Sequence, residues 1–157
     1  MGEWYRGGFS LTRPSFNEVF MQIASILSTR STCNKRSVGA VIVDVNNKIV
    51  GCGYNGAPAG MPHCTEAGCG EESGHCTRAV HAEYNAIMNS VDLDRARSGK
   101  VFIYGASPCY RCAHALIIIG IDEVNYSGKL SDARAIDYLR EAGVTIKEDV
   151  VDFSFCP

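Results

Sequence analysis

His81-Ala82-Glu83 and Pro108-Cys109-Tyr110-Arg111-Cys112 together offer three metal-ligating side chains and one spare carboxylate. Zinc held by three protein ligands keeps a fourth position for water and makes that water acidic near neutral pH, whereas a structural zinc site closes all four positions. His81, Cys109 and Cys112 fit the open count. A carboxylate two residues after the histidine stands beside the water without binding the metal, free to take its proton and pass it to a leaving group. Glu83 has that position, so the chemistry implied is hydrolysis with Glu83 as the proton shuttle. Taken separately, the cysteines would read as a closed zinc site or buried thiols, and Glu83 as a solvated carboxylate in a first helical turn. Their joint occurrence favours the catalytic reading.

Both motifs must sit where helices begin. A helix is expected from about His81 to Asn89, and the strand Lys100 to Tyr104 leads through Gly105-Ala106-Ser107 into Pro108, which suits a first helical turn because its missing N–H would be unpaired there. The helix from Cys109 to Ile119 then ends at Gly120. Cys109 and Cys112, three apart, share one helix face, and the N-terminal partial positive charge lowers the cost of two thiolates. Upstream, Ser15 and Glu18 form a capping box for a helix from about Ser15 to Thr29, and Val38–Val45 and Lys48–Tyr54 read as a hairpin around Asn46-Asn47. A short strand at Glu123–Tyr126, a helix at Ser131–Ala142 stopped by Gly143, and a strand at Val144–Lys147 complete the order α-β-β-α-β-α-β-α-β. Strands alternating with helices after a hairpin predict a mixed five-stranded sheet covered on both faces, a three-layer α/β/α arrangement.

The chain has 157 residues, 46% of them hydrophobic, and is expected to form a single domain over 1–157 with an N-terminal extension at 1–13. In that extension Trp4, Tyr5 and Phe9 either pack at an interface or belong to a partly ordered terminus. A formal net charge of −2 argues against a broad nucleic-acid or membrane footprint and points to a small partner. No apolar run approaches a membrane span and the first residues lack the order of a secretion signal, so a cytoplasmic location is expected.

In that setting the eight cysteines read as thiols and metal ligands before disulfides. Residues 55–80 form a long loop without periodicity that needs an anchor other than a core. Cys64, Cys69 and Cys76 lie in it and Cys33 just before the first strand, so four thiols are placed to close a second, structural zinc, with His63 and His75 as alternates for any one ligand. Cys52 reads as a small core residue and Cys156 as a terminal thiol. The alternative for the loop is a mobile substrate segment with free thiols.

His-x-Glu followed by Pro-Cys-x-x-Cys is the pattern of zinc nucleobase deaminases. Four segments extend the match: Ser37–Val43, Gly53-Tyr54-Asn55-Gly56-Ala57-Pro58-Ala59-Gly60, His81–Ile87 and Ser107–Ala113. In this order, and with the Cys/His-rich loop after Gly-Tyr-Asn-Gly-x-Pro, the chain resembles the deoxycytidylate (dCMP) deaminases over about Phe16 to Lys147. The resemblance implies a cytidine-deaminase-like fold and hydrolytic deamination of dCMP to dUMP and ammonia, supplying dUMP for thymidylate synthesis. It implies that Asn55 hydrogen-bonds the nucleotide near sugar and base, that the Ala82 N–H meets the base carbonyl, and that the Ser107 carbonyl meets the exocyclic amine. Lys35 and Arg36 are candidates for the monophosphate, with an ordinary solvated loop as the alternative, and Tyr126 is either a stacking or phosphate contact or a half-buried strand tyrosine. Similar enzymes carry a non-catalytic metal, form homo-hexamers, and are activated by dCTP and inhibited by dTTP near the Gly-Tyr-Asn-Gly segment. Competing readings are a deaminase of another cytosine nucleoside or nucleotide or of a base in nucleic acid, and an inactive zinc-stabilised binding module.

Overall fold

The computed structural model describes residues 13–72 and 75–149. Trp4, Tyr5, Phe9 and Cys156 lie outside the described residues. Helix α1 (Phe16–Ser28) starts at the expected capping box: the Ser15 hydroxyl accepts the Glu18 N–H at 3.2 Å and the Glu18 carboxylate accepts the Ser15 N–H at 2.6 Å. Strands β1 (Gly39–Val43) and β2 (Ile49–Tyr54) form the hairpin. The Asp44 carboxylate holds its turn by accepting the Asn46 and Lys48 N–H groups, each at 2.9 Å. Asn47 occupies the left-handed region at φ 57°.

The long loop is less formless than its sequence suggests. It contains the short helix α2 (Cys64–Ala67) and a two-stranded ribbon of β3 (Glu71–Glu72) and β4 (His75–Cys76). Reciprocal backbone bonds between Gly56 and Val80, 3.1 and 2.8 Å, close its base. After it come α3 (Ala82–Met88), a 3-10 turn at Leu93–Ala96, β5 (Lys100–Ala106), α4 (Tyr110–Ile118), β6 (Glu123–Lys129), α5 (Ala133–Glu141) and β7 (Thr145–Glu148).

The five-stranded sheet runs β2-β1-β5-β6-β7, antiparallel between β2, β1 and β5 and parallel from β5 to β7. This is the mixed α/β architecture expected. Alternation along the strands divides the core: Val41, Val43 and Phe102 face Phe20, Met21 and Ala24 of α1. Ala40, Ile42, Val101, Ile103 and Val124 join α3, α4 and α5 on the other face through Ala86, Leu116, Ile136 and Leu139.

Register decides where chemistry can occur. Gly39 pairs with both Tyr54 and Tyr104, and Ala106 with Lys129. Four chain segments therefore leave the sheet at one edge: the approach to β1, the exit of β2, and the exits of β5 and β6.

Helix α3 reaches that edge by lying unusually close to β2. A Cβ on Gly53 would stand 2.5 Å from the Ala86 nitrogen and 2.8 Å from the Ala82 carbonyl oxygen, so glycine is what lets the helix backbone settle. The Asn85 and Asn89 side chains, one turn apart, donate to the carbonyls of Tyr54 and Cys52 at 2.7 and 3.1 Å and so partner groups on the edge strand. Overpacking of this kind costs on the order of 1–3 kcal/mol. Gly53→Ala is expected to lower unfolding free energy by about that amount, read as a lower urea midpoint at unchanged slope; a midpoint equal to that of the parent chain would show that the close approach is not a constraint.

Candidate functional site

Two helix starts deliver the zinc-type ligands. His81 is the N-cap residue of α3 and Cys109 that of α4, both in extended conformation, and Cys112 lies one turn into α4. The His81 Nδ1 is 3.4 Å from the Sγ atoms of both Cys109 and Cys112. Sulfur and nitrogen held at about 2.3 and 2.0 Å from a tetrahedral zinc stand about 3.5 Å apart, so the three donors fit that ion. The two thiols shift in opposite directions. Hydrogen bonding from Cys112, with further help from His81, outweighs burial and draws Cys109 down to about 4, while the same proximity to Cys109 pushes Cys112 up.

Glu83, 3% exposed, is buried in the first turn of α3. Burial raises its carboxyl above the ordinary range, with the His81 charge opposing the shift. It shares with His81, Cys109 and Ala82 the wall of a cavity of about 460 Å³. This volume suits one small molecule.

Away from the ligands the cavity is lined by Asn55, Ser107, Lys35 and Arg36, all expected site residues. Asn55 does more than line it. Its Oδ1 accepts the Val38 N–H at 2.9 Å and its Nδ2 donates to the Arg36 carbonyl at 2.8 Å, clamping the approach to β1. Ser107 is tied on its other side: its N–H donates to the Lys129 carbonyl at 2.9 Å and its hydroxyl accepts the Ser131 N–H at 2.8 Å.

Tyr126 does not belong to this group. It is buried in the core at 5% exposure, on a β6 face away from the cavity lining, and burial and the neighbouring Glu148 raise its hydroxyl pKa. Of the two readings of Tyr126, the stacking or phosphate role is corrected and the strand tyrosine packed in the core stands. The sequence places it at a strand end, but β6 continues to Lys129, which leaves Tyr126 inside the sheet.

Ser131, Asp132 and Arg134 line the cavity and were missed by sequence reasoning. Arg134 makes a two-pronged contact with Asp132 at 3.0 and 2.8 Å and lies over the Tyr110 ring at 6.0 Å from its centre. Their signal was available only through register: they follow β6, whose exit is beside that of β5.

A second group of donors lies at the same cavity. The Sγ atoms of Cys33, Cys64 and Cys76 are within 4.8 Å of one another, and the 3.6 Å between Cys64 and Cys76 is near the roughly 3.8 Å edge of a tetrahedral zinc thiolate site. Cys69 falls outside this tight group but interacts with it. Its hydrogen bond to Cys76 pushes it up to about 12, and Cys76, bonded by Cys69 and by the Ala79 and Arg78 backbone against the effect of burial, drops to about 7. His63 is not in the group, and Cys52 lies against the α1-side core as expected.

A mixed five-stranded sheet with a histidine and a Cys-x-x-Cys pair meeting at two helix starts defines a cytidine-deaminase-like α/β protein. The family model "Cytidine and deoxycytidylate deaminase zinc-binding region" matches residues 14–128, and the chain belongs to that family. It is 37% identical to ComE operon protein 2 of Bacillus subtilis over 146 residues, covering 90% of this chain and 75% of that protein. It is 34% identical to the deoxycytidylate deaminase of Schizosaccharomyces pombe over 146 residues, covering 87% of this chain but 44% of the yeast protein. The chain thus spans under half the length of that relative. Among solved structures, the dCMP deaminase of cyanophage S-TIM5 in complex with dCMP and dUMP superposes with a TM-score of 0.75 at 29% identity, covering 88% of this chain and 99% of that one.

The three-donor geometry makes a direct prediction. Structural zinc binding is worth roughly 10–16 kcal/mol over four ligands, so removing one donor costs about a hundredfold or more in affinity. Cys112→Ser is expected to release zinc from this site to a chromophoric chelator that the parent chain outcompetes; equal retention by the variant would exclude Cys112 from the ligand set.

Proposed function

We propose that this protein catalyses the hydrolytic deamination of dCMP to dUMP and ammonia, at a zinc held by His81, Cys109 and Cys112. The observation that carries the reading is the buried Glu83 carboxylate in one cavity with His81 and Cys109 of the three-donor cluster. A purely structural metal would need neither that carboxylate nor an open position. The family membership and the similarity to the S-TIM5 enzyme support the choice of a cytosine nucleotide.

When bound, zinc supplies the Lewis acidity that makes water acidic near neutral pH. Glu83 takes a proton from the attacking water and delivers it to ring N3 as the water oxygen bonds to C4. Glu83 then carries the second proton to the amine, the C4–N bond breaks, and ammonia leaves. The raised pKa of its buried carboxyl matches a group that must both hold and release a proton. The Ala82 N–H donates to the base carbonyl and the Ser107 carbonyl accepts from the amine, while Lys35 and Arg36 meet the phosphate at the cationic end of the cavity.

A second zinc on Cys33, Cys64 and Cys76, with Cys69 as the nearest further thiol, would anchor the loop that carries part of the cavity wall. The resemblance further supports a cytoplasmic homo-hexamer that supplies dUMP for thymidylate synthesis, activated by dCTP and inhibited by dTTP. No helix among the described residues is long and apolar enough to cross a membrane.

The test offers the zinc-loaded protein dCMP, CMP, deoxycytidine and a cytosine-containing single strand separately, with and without dCTP, and follows the ultraviolet change of cytosine to uracil. Preferential conversion of dCMP is expected. Conversion of another substrate with dCMP untouched would overturn the substrate assignment, and turnover of none would overturn the enzymatic one.

A further inference from the structure

Within the second cysteine group, Cys64 and Cys76 are both free thiols, close enough to react with each other and unequal in access. Their Sγ atoms stand 3.6 Å apart, in van der Waals contact. Cys64 is 1% exposed, whereas Cys76 is half-buried and lines the cavity that also contains His81 and Glu83. A small molecule that enters the cavity therefore meets the Cys76 sulfur and not that of Cys64. An accessible sulfur with a shielded thiol against it is the arrangement of an attacked and a resolving cysteine.

The segment that carries both sulfurs is able to let them close. A disulfide holds its sulfurs at about 2.05 Å, so the pair must approach by about 1.5 Å. Among the described residues of 55–80, Cys64 alone belongs to the buried hydrophobic core, and the ordered parts are the four-residue α2 and a ribbon of two-residue strands. So few buried contacts mark a segment of low local stability. The two thiols are nevertheless tied to the site. The Cys64 carbonyl accepts from the Asn34 side chain at 3.0 Å, on the approach to β1, and the Cys76 Sγ accepts the N–H of Ala79 at 3.3 Å, two residues before His81. Movement of Cys76 toward Cys64 loosens the Ala79 bond and displaces cavity wall, since Ala79 lines the cavity too.

We infer that Cys76 is an oxidation site for hydroperoxides with Cys64 as its resolving thiol, and that the Cys64–Cys76 disulfide and a metal at this cysteine group are alternative states of the loop. The Cys76 sulfur attacks one peroxide oxygen and the O–O bond breaks, leaving Cys76 as a sulfenic acid and, from hydrogen peroxide, one water. The Cys64 sulfur then attacks the Cys76 sulfur; the S–S bond forms, the S–O bond breaks, and a second water leaves with the Cys64 proton. Two thiols and one peroxide become one disulfide and two waters, the sulfurs losing two electrons and the peroxide oxygens gaining them. A metal ligand must be a thiolate, so the disulfide removes two donors from the group at once, and a dithiol reductant returns them. The oxidation step stands apart from the deaminase reading, and only its effect on nucleotide affinity rests on it.

The experiment treats the full chain, zinc-loaded or metal-free, with hydrogen peroxide over time. Each cysteine is mapped by differential alkylation and mass spectrometry, beside zinc release to a chromophoric chelator and calorimetric affinity for dCMP. The metal-free chain is expected to form a Cys64–Cys76 crosslink that dithiothreitol reverses. The zinc-loaded chain should form it more slowly and release zinc in step with it. Affinity for dCMP should fall by about tenfold, the scale of one misplaced hydrogen bond to a charged group, as the crosslink accumulates, and recover on reduction. Cys64→Ser should leave Cys76 as a sulfenic acid that dimedone captures; the crosslink map of the parent chain decides the pairing without that variant.

A first crosslink joining Cys76 to Cys33 or Cys69, or dimedone captured on Cys64 in the parent chain, would overturn the assigned roles. Zinc retained after the Cys64–Cys76 bond has formed would overturn the alternative states. A loss of dCMP affinity that follows a Cys109–Cys112 crosslink instead would break the link to the site. If the parent chain binds no dCMP while the Cys64–Cys76 bond forms reversibly and displaces zinc, the oxidation site stands and only the nucleotide reading falls.

Discussion

His81 arrives on one helix and Cys109 and Cys112 on another, and their donor atoms stand 3.4 Å apart because two strand-to-helix geometries are fixed independently. The α3 end depends on the glycine-lined surface of β2 and on the asparagine bonds to Tyr54 and Cys52. The α4 end depends on β5 running through Ala106 before Pro108 turns the chain. Zinc geometry tolerates little error in ligand spacing, so packing along the sheet is what makes the ligand set possible. In return, a metal joining the two helix starts would tie α3 to α4 at the edge where the cavity opens.

The same sheet register gathers the rest of the cavity. Because Gly39 pairs with Tyr54 and Tyr104, and Ala106 with Lys129, residues far apart in sequence emerge side by side. Arg36, Asn55, Ser107 and Ser131 then bond to one another in a chain along the polar wall of the cavity. Buried polar groups such as Asn55 and Ser107 need these partners, and satisfying them fixes the polar side chains along the cavity wall. The second cysteine group borders the same cavity through Cys33 and Cys76, which links the anchoring of the long loop to the shape of the site.

Much of this was legible in the sequence because local rules act locally. The capping box at Ser15, the hairpin around Asn46-Asn47, and the two ligand motifs at helix starts follow from residue type and spacing over a few positions. Strand ends were harder. β5 and β6 each run past the expected boundary, to Ala106 and Lys129, since pairing to a neighbour extends a strand beyond what its own residues favour. That extension buries Tyr126, which looked available at a short strand's end, and presents Ser131, which looked like the start of a helix and nothing more. The loop looks irregular in sequence because its order comes from the Gly56–Val80 bridge, the Arg78 bonds to Gly68 and Pro62, and converging thiols, none of which has a periodic trace.

The proposed reaction turns on Glu83, which stands beside the metal-ligand group without belonging to it and is placed to move the proton. Glu83→Gln preserves the side chain's size and removes its capacity to shuttle a proton, so the direct measurement is kcat for dCMP in this variant beside its zinc content and its affinity for dCMP. The account predicts zinc and nucleotide bound as in the parent chain and kcat lower by about 10²–10⁴-fold, the range typical of general acid–base catalysis. A variant that keeps near-parental kcat, or that loses its zinc along with its activity, would contradict it.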